Sequence, residues 1–122
     1  MKIYNKKYLL IKKILKIINK INAKKIKLID IRNTPNNLFN FLIICNGKST
    51  IHIKNIYNKI IILIKKKLNI LPYNIEGVNN LEWVLIDYNH IIINIFLKKI
   101  RKYYNIDSIW ENLPKIKIIK FK

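Results

Sequence analysis

Apolar residues recur at helical spacing from the start of the chain. Tyr4, Tyr8, Ile11, Ile14, Leu15, Ile18 and Ile21 share one face of a helix over residues 4–21, and Lys6, Lys12, Lys13, Lys16 and Lys20 fall largely on the others. This is the pattern of an amphipathic helix. The period then changes. KIKLIDIR, 25–32, alternates and is β-branched, which predicts a first strand. NTPNN, 33–37, is a turn cluster with Pro35. FNFLIIC, 39–45, predicts a second strand that becomes wholly apolar, as a central strand does when both of its faces are covered. Asn46-Gly47 ends it. Ser49 or Thr50 can cap the next helix, in which Ile53, Ile56, Tyr57, Ile60, Leu63 and Ile64 recur at helical spacing to about Lys67. Lys65, Lys66 and Lys67 suit the negative end of its dipole.

NILPYNIEGVNN, 69–80, holds Pro72 and Gly77 and predicts a loop. A hairpin follows, with strands at 82–87 and 91–97, then a short helix near 98–105, and IDSIW leads into a tail, ENLPKIKIIKFK. No Gly/Ser linker and no internal repeat interrupts the chain. The order α-β-β-α-β-β-α describes a single α/β domain, a mixed β-sheet with helices packed on it. The first helix is read as cover for that sheet in preference to a helix lying on a membrane surface.

The hairpin carries the residues of most interest. A two-residue turn at Tyr88-Asn89 pairs Asp87 with His90 and sets Ile86 opposite Ile91, Leu85 opposite Ile92, Val84 opposite Ile93 and Trp83 opposite Asn94. Side chains alternate between faces. Val84, Ile86, Ile91, Ile93 and Ile95 form a wholly aliphatic face, the core. Leu81, Trp83, Leu85, Ile92, Asn94 and Phe96 form the other, which mixes two large aromatics with one amide. Aromatics of this kind are enriched at interface centres, and the Asn94 amide is one that a partner could satisfy. Slipping the register by one residue would exchange the faces.

Composition changes this picture less than its extremes suggest. The formal charge is +19, but of 25 basic residues only Arg32 and Arg101 are Arg, and Ile, Asn and Lys fill 72 of 122 positions. All three are encoded by AT-rich codons, so a biased genome enriches them without function, and a phosphate-recognising surface favours Arg forks. Non-specific attraction to RNA or anionic lipid, weakening with salt, is still expected. One cysteine, Cys45, rules out an internal disulfide and fits a reducing compartment. No purely apolar run exceeds the five residues of 60–64, against the ~20 of a membrane span. The Lys-rich start lacks a signal-type apolar block. The expectation is a soluble, cytoplasmic protein with no membrane partner.

No catalytic set assembles. The six acids, Asp30, Glu76, Glu82, Asp87, Asp107 and Glu111, form no closely spaced pair. CNGKST lacks the glycine four residues before its Gly-Lys-Ser that a phosphate-binding loop requires. A Gly-Ser turn before a helix occurs in nucleotidyltransferases, but those need paired metal-binding carboxylates. Cys45, His52 and His90 are too few and too scattered for a metal centre. No enzyme, cofactor or metal is expected.

IDIR (29–32), FNFLIICNGKSTIHI (39–53), LPYNIEG (71–77), EWVLIDYNHIIINIF (82–96) and RKYYNIDSIW (101–110) follow one another in the order and spacing of the ribosomal silencing factor RsfS, or Iojap, family, which the chain resembles over roughly residues 4–110. The chain Glu76-Gly77, Trp83, Asp87, Phe96, Arg101, Tyr104, Trp110 is specific as a set. The resemblance implies a nucleotidyltransferase-like fold over 1–110 without catalysis, and a function on the large ribosomal subunit. There it implies binding to ribosomal protein L-fourteen, which obstructs joining of the small subunit and lowers translation. An organellar member assists large-subunit assembly, so an assembly or RNA-associated role is the alternative. Carried over, the contact falls on Trp83, Leu85, Asp87, Tyr88, Asn89, Ile92, Asn94 and Phe96. A homodimer of the free protein also belongs to the expectation. The chain departs from the family pattern in three places: Ile51 replaces an Arg before His52, Asn94 replaces a His, and Lys98 and Lys99 replace acids. Residues 111–122 lie outside the resemblance, as a basic tail that is either an edge strand or a mobile cation settling on ribosomal RNA.

Overall fold

The protein is described by a computed structural model that covers residues 2–34 and 39–121, with side chains from Tyr8 onward. Along the chain run α1 (Lys2–Lys20), β1 (Lys24–Asp30), β2 (Phe41–Gly47), α2 (Thr50–Leu68), β3 (Asn74–Glu76), β4 (Trp83–Asp87), β5 (Ile91–Leu97), α3 (Lys98–Tyr103), α4 (Ile106–Glu111) and β6 (Lys117–Phe121). The strands form one mixed sheet in the order β3-β4-β5-β2-β1-β6. Among the described residues only β2 and β5 pair in parallel; the other four ladders are antiparallel.

The wholly apolar second strand is indeed central. Every residue of β2 is buried, with Ile43 and Cys45 facing one layer of the core and Leu42 and Ile44 the other. On the first side α1 and α2 cover the sheet. Leu10, Ile11, Ile14, Ile17 and Ile18 of α1 and Ile53, Ile56, Ile60 and Ile64 of α2 meet Val84, Ile86, Ile93 and Ile95 of the hairpin. Each fully buried Ile contributes roughly 1.5–3 kcal/mol by removal from water, so α1 is cover for its own sheet. Its buried stripe is rotated from the expected one: Leu10 and Ile17 turn inward, while Tyr8 is exposed. Ser49 caps α2, its hydroxyl accepting from the His52 N–H at 3.1 Å, and Asn69 ends the helix in the left-handed conformation. The side chains of Tyr4 and Lys6, and Pro35 with the rest of its turn to 37, lie outside the described residues.

Three expectations change. The loop over 69–80 contains β3, an edge strand of three residues paired with β4. The helix near 98–105 breaks at Asn105, whose φ of 49° cannot continue it, and a second helix, α4, follows. The tail is the sixth strand: Lys117–Phe121 pairs antiparallel with β1 from Asp30↔Lys117 to Ile26↔Phe121. Of the two readings of the tail, the edge strand is the one observed. Its Ile116 and Ile118 pack on the second core, beside Ile29, Leu42, Ile44, Phe96 and Ile106.

Candidate interaction face

The hairpin turns one residue later than its sequence suggests. Tyr88 N–H donates to the Ile91 carbonyl at 2.9 Å, so the tip is Asn89-His90 and not Tyr88-Asn89. Asn89 takes the positive φ of 77° that the tip needs, and its N–H donates to the Asp87 carboxylate at 2.7 Å. The observed partners are Trp83↔Phe96, Val84↔Ile95, Leu85↔Asn94, Ile86↔Ile93 and Asp87↔Ile92. The register is therefore displaced by two residues from the expected one. A displacement of two leaves every side chain on its own face, because the period is two. The aliphatic face is the core as expected, with Val84, Ile86, Ile93 and Ile95 fully buried.

The other face divides in two. Over β5, β2 and β1 it is covered by α3 and α4, and Phe96 is fully buried there. Over β4 and β3 it is open. Trp83 stands at the boundary, 41% exposed. Its ring packs on Phe96 with centroids 4.8 Å apart and lies 6.4 Å from Tyr104. Its indole N–H donates to Asn94 Oδ1 at 2.7 Å. The Asn94 amide thus has an internal partner and sits buried beneath the indole, not facing outward.

The chain before Trp83 is bent to place it. Gly77 has φ of 87°, and a Cβ there would come within 1.9 Å of the Trp83 carbonyl oxygen, so only glycine fits. Leu81 N–H closes this bend on the Gly77 carbonyl at 3.0 Å, with Leu81 itself at φ of 59°. A leucine in the left-handed region costs of order 1–3 kcal/mol.

The expected contact residues separate accordingly. Trp83, Leu85 and Asp87 share the open face, Ile92 packs against the covered second core beside it, and Asn89 is exposed at the tip. Asn94 and Phe96 lie beneath it as supports. Tyr88 lies on the opposite side, packed in the α1–α2 core, its hydroxyl without a hydrogen-bond partner and its pKa pushed up to about 12 by burial. Tyr88 precedes the turn, which returns it to the alternation of Val84 and Ile86. Tyr104 and Tyr103, stacked edge-on at 5.0 Å, extend the aromatic surface from α3. No strand periodicity could reach them, but the aromatic pair beside Arg101 in RKYYN was a visible signal.

A second signal was also present in the chain. Between Leu68 and Leu97 there is neither Lys nor Arg, yet Glu76, Glu82 and Asp87 lie there, three of the six acids of a chain with net charge +19. Registration places Glu76 beside Leu85, and Asn74 beside Asp87, on the face of Trp83. The open face is therefore aromatic, acidic and free of lysine. Codon bias would spread lysine through this segment as through the rest.

Arg101 holds the cover on the neighbouring half. Its side chain, 7% exposed, reaches Asp107 with Nε at 2.8 Å and Nη2 at 3.1 Å, and through Nη1 it donates to the Asn46 side chain at 2.9 Å and the Lys25 carbonyl at 2.8 Å. Lys27 adds a bond to Asp107 at 2.6 Å. One guanidinium thus joins α3, α4, β2 and the bulge in β1. Partial burial pushes the Asp107 pKa up, but the bonds from Arg101 and Lys27 outweigh it and hold the carboxyl below its usual value. At the far edge Arg32 forks onto Asp30 at 2.7 and 3.0 Å, and chiefly through that bond keeps its carboxyl low as well.

The candidates for other chemistry are occupied structurally. Lys48 N–H donates to His52 Nδ1 at 2.9 Å and His52 Nε2 faces the Ile21 carbonyl at 2.7 Å, tying the start of α2 to the end of α1. Cys45 is fully buried, which raises its thiol pKa to about 12. Among the described residues, no three His, Cys, Asp or Glu side chains converge as a metal site, and no helix is long and apolar enough to cross a membrane.

The fold has counterparts among solved structures. Solved structures of a Chromobacterium violaceum protein and a Bacillus halodurans protein superpose with TM-scores of 0.79 and 0.74. The first is 24% identical, over 87% of each chain; the second is 23% identical, over 84% of this chain and 94% of that one. Among curated sequences, the ribosomal silencing factor RsfS of Halalkalibacterium halodurans is 28% identical over 64% of this chain, and the mitochondrial Iojap-related protein of Arabidopsis thaliana is 28% identical over 78% of it. The matched segments span 66% and 53% of those two proteins. The model of the family described as "ribosomal silencing factor during starvation" matches residues 5–122, so the likeness runs through β6 and past the expected limit at Trp110. A match over nearly the whole chain, together with the same fold in the solved relatives, makes this chain a member of the ribosomal silencing factor family.

Proposed function

We propose that this protein silences ribosomes sterically, by seating its Trp83 face on the large ribosomal subunit and so preventing the small subunit from joining. Ribosomal protein L-fourteen is the proposed partner, and the cytoplasm the proposed place of action. The observation that carries the reading is the charge and chemistry of the open face: Trp83 and Tyr104 beside Glu76 and Asp87, with no lysine on the segment. Such a surface repels phosphate and complements a basic protein, and ribosomal proteins are basic because they lie on RNA. Trp and Tyr are the residues that anchor interfaces. The role is non-catalytic. Asp30 is committed to Arg32, and Asp107 to Arg101 and Lys27, in ion pairs that hold the fold together.

The test is sedimentation of tagged protein with separated subunits and with joined ribosomes. Recovery with the large subunit alone is expected, because a blocker and the small subunit compete for one surface. Equal recovery on joined ribosomes would sink the blocking mechanism and leave a role in large-subunit assembly.

A further inference from the structure

Away from the Trp83 face, six exposed lysines line one region at the opposite end of the sheet. Between the β1–β6 edge and α3 lies a cleft of about 530 Å³ whose rim carries Lys25, Lys98, Lys102 and Lys120, with Asn46, Arg101 and Asp107 also lining it. A second cleft, of about 520 Å³, shares Lys98 and Lys102 and continues past the carboxyl ends of β2 and β5, adding Lys48 and Lys99. Six exposed ammonium groups thus follow one continuous trench. Asp107, the carboxylate that lines it, already serves Arg101 and Lys27. Among the described residues none of the six lysines has a carboxylate within salt-bridge distance. Arg101 also bonds the carbonyl of Lys25, which stands at φ of 52° in the β1 bulge, so the buried guanidinium fixes the backbone at one wall of the trench.

We propose that this trench binds the phosphodiester backbone of an RNA strand, as a second contact distinct from the Trp83 face. Its shape is that of a track and not of a small-molecule pocket. Two clefts run into each other, and the one buried, unpartnered side-chain polar atom among the described residues, the Tyr88 hydroxyl, packs in the α1–α2 core and not in the trench. Lysines are point charges suited to phosphate without base selection. A bilayer presents a flat surface and would leave a concave row of ammonium groups unmatched. The inference does not rest on the silencing mechanism, since it concerns other residues and another chemistry.

Binding is measured by fluorescence anisotropy with a labelled single-stranded RNA of about 20 nucleotides, long enough to fill such a track. The full chain is compared with Lys98→Gln/Lys102→Gln/Lys120→Gln and with Lys54→Gln/Lys59→Gln/Lys66→Gln, a control of equal net charge on the exposed side of α2. All six positions are exposed, so both variants fold. The trench variant should bind about tenfold or more weakly at physiological salt, with the slope of log affinity against log salt reduced by about 2, as three lost contacts to a single strand require. The control should change by less than about threefold. Equal loss in the two variants would show that overall charge, and not a site, attracts RNA. Binding to phosphatidylserine vesicles without binding to RNA would equally overturn the proposal. Trp83→Ala should keep its RNA affinity; its loss would move the RNA to the aromatic face, whereas loss of subunit binding alone bears only on the silencing reading.

Discussion

Trp83 and Asn94 are joined through one hydrogen bond, indole N–H to amide oxygen at 2.7 Å, across two adjacent strands. They are not direct cross-strand partners, since Trp83 is registered with Phe96 and Leu85 with Asn94. The bond therefore runs diagonally and fixes the rotation of the indole. With one ring edge held by Asn94 and one face on Phe96, Trp83 is oriented before any partner arrives, which reduces the ordering cost of binding.

Trp83→Ala should separate binding from folding. The ring is 41% exposed, so its removal should cost folding about 1–2 kcal/mol, well below the 3–5 of a buried Trp. Binding to the large subunit should fall by ~2–4 kcal/mol, about 30- to 1,000-fold. Ile93→Ala, on the covered face, should do the reverse: ~2–5 kcal/mol of stability lost and normal binding by the folded fraction. Thermal melting with subunit sedimentation reads both. An early melt for Trp83→Ala with unimpaired binding would place the contact elsewhere.

Gly77→Ala should disturb Trp83 from a distance. The added methyl meets the Trp83 carbonyl, and the φ of 87° is strained for alanine. A loss of about 1–3 kcal/mol is expected from backbone strain alone, accompanied by a change in tryptophan fluorescence. An unchanged melt and spectrum would show that the bend relaxes freely.

Arg101→Met should destabilise by about 3 kcal/mol or more, because it strips a buried guanidinium from Asp107 and Asn46. It also predicts a pH dependence. The carboxyls of Asp107 and Asp30 are held below their usual value in the folded chain. Each therefore contributes stability that is fully present above about pH 4 and is lost as pH falls through the lowered folded pKa. The parent melting temperature should be level from about pH 5 to 7 and drop below about pH 4, and the variant should show a shallower drop. Parallel curves would mean that Arg101 does not set the Asp107 pKa.

Truncation after Asn112 should unsettle the sheet itself. It removes the half-buried Ile116 and Ile118 from the second core, about 2–3 kcal/mol together, and uncovers the β1 edge. Exposed edges pair with other chains, so light scattering should show self-association along with the lower melt. A monomer of normal stability would mean that β6 is dispensable.

Alternation and helical spacing were enough to reveal α1, β1, β2, α2 and the two strands of the hairpin, and to sort Val84, Ile86, Ile93 and Ile95 from Trp83, Leu85 and Phe96. The sorting is independent of the exact turn, because moving the register by two residues returns each side chain to its own side. Periodicity reports which residues share a face; it is silent on what covers the face. Whether Phe96 is buried and Trp83 half open depends on where α3 and α4 come to rest, and that is settled by Arg101 reaching Asn46, fifty-five positions away, and Asp107. Strands β3 and β6 were beyond such a reading for a related reason. Three residues carry too little pattern to show alternation, and the tail alternates equally well free or paired, so only the β4 and β1 edges decide that these segments are strands.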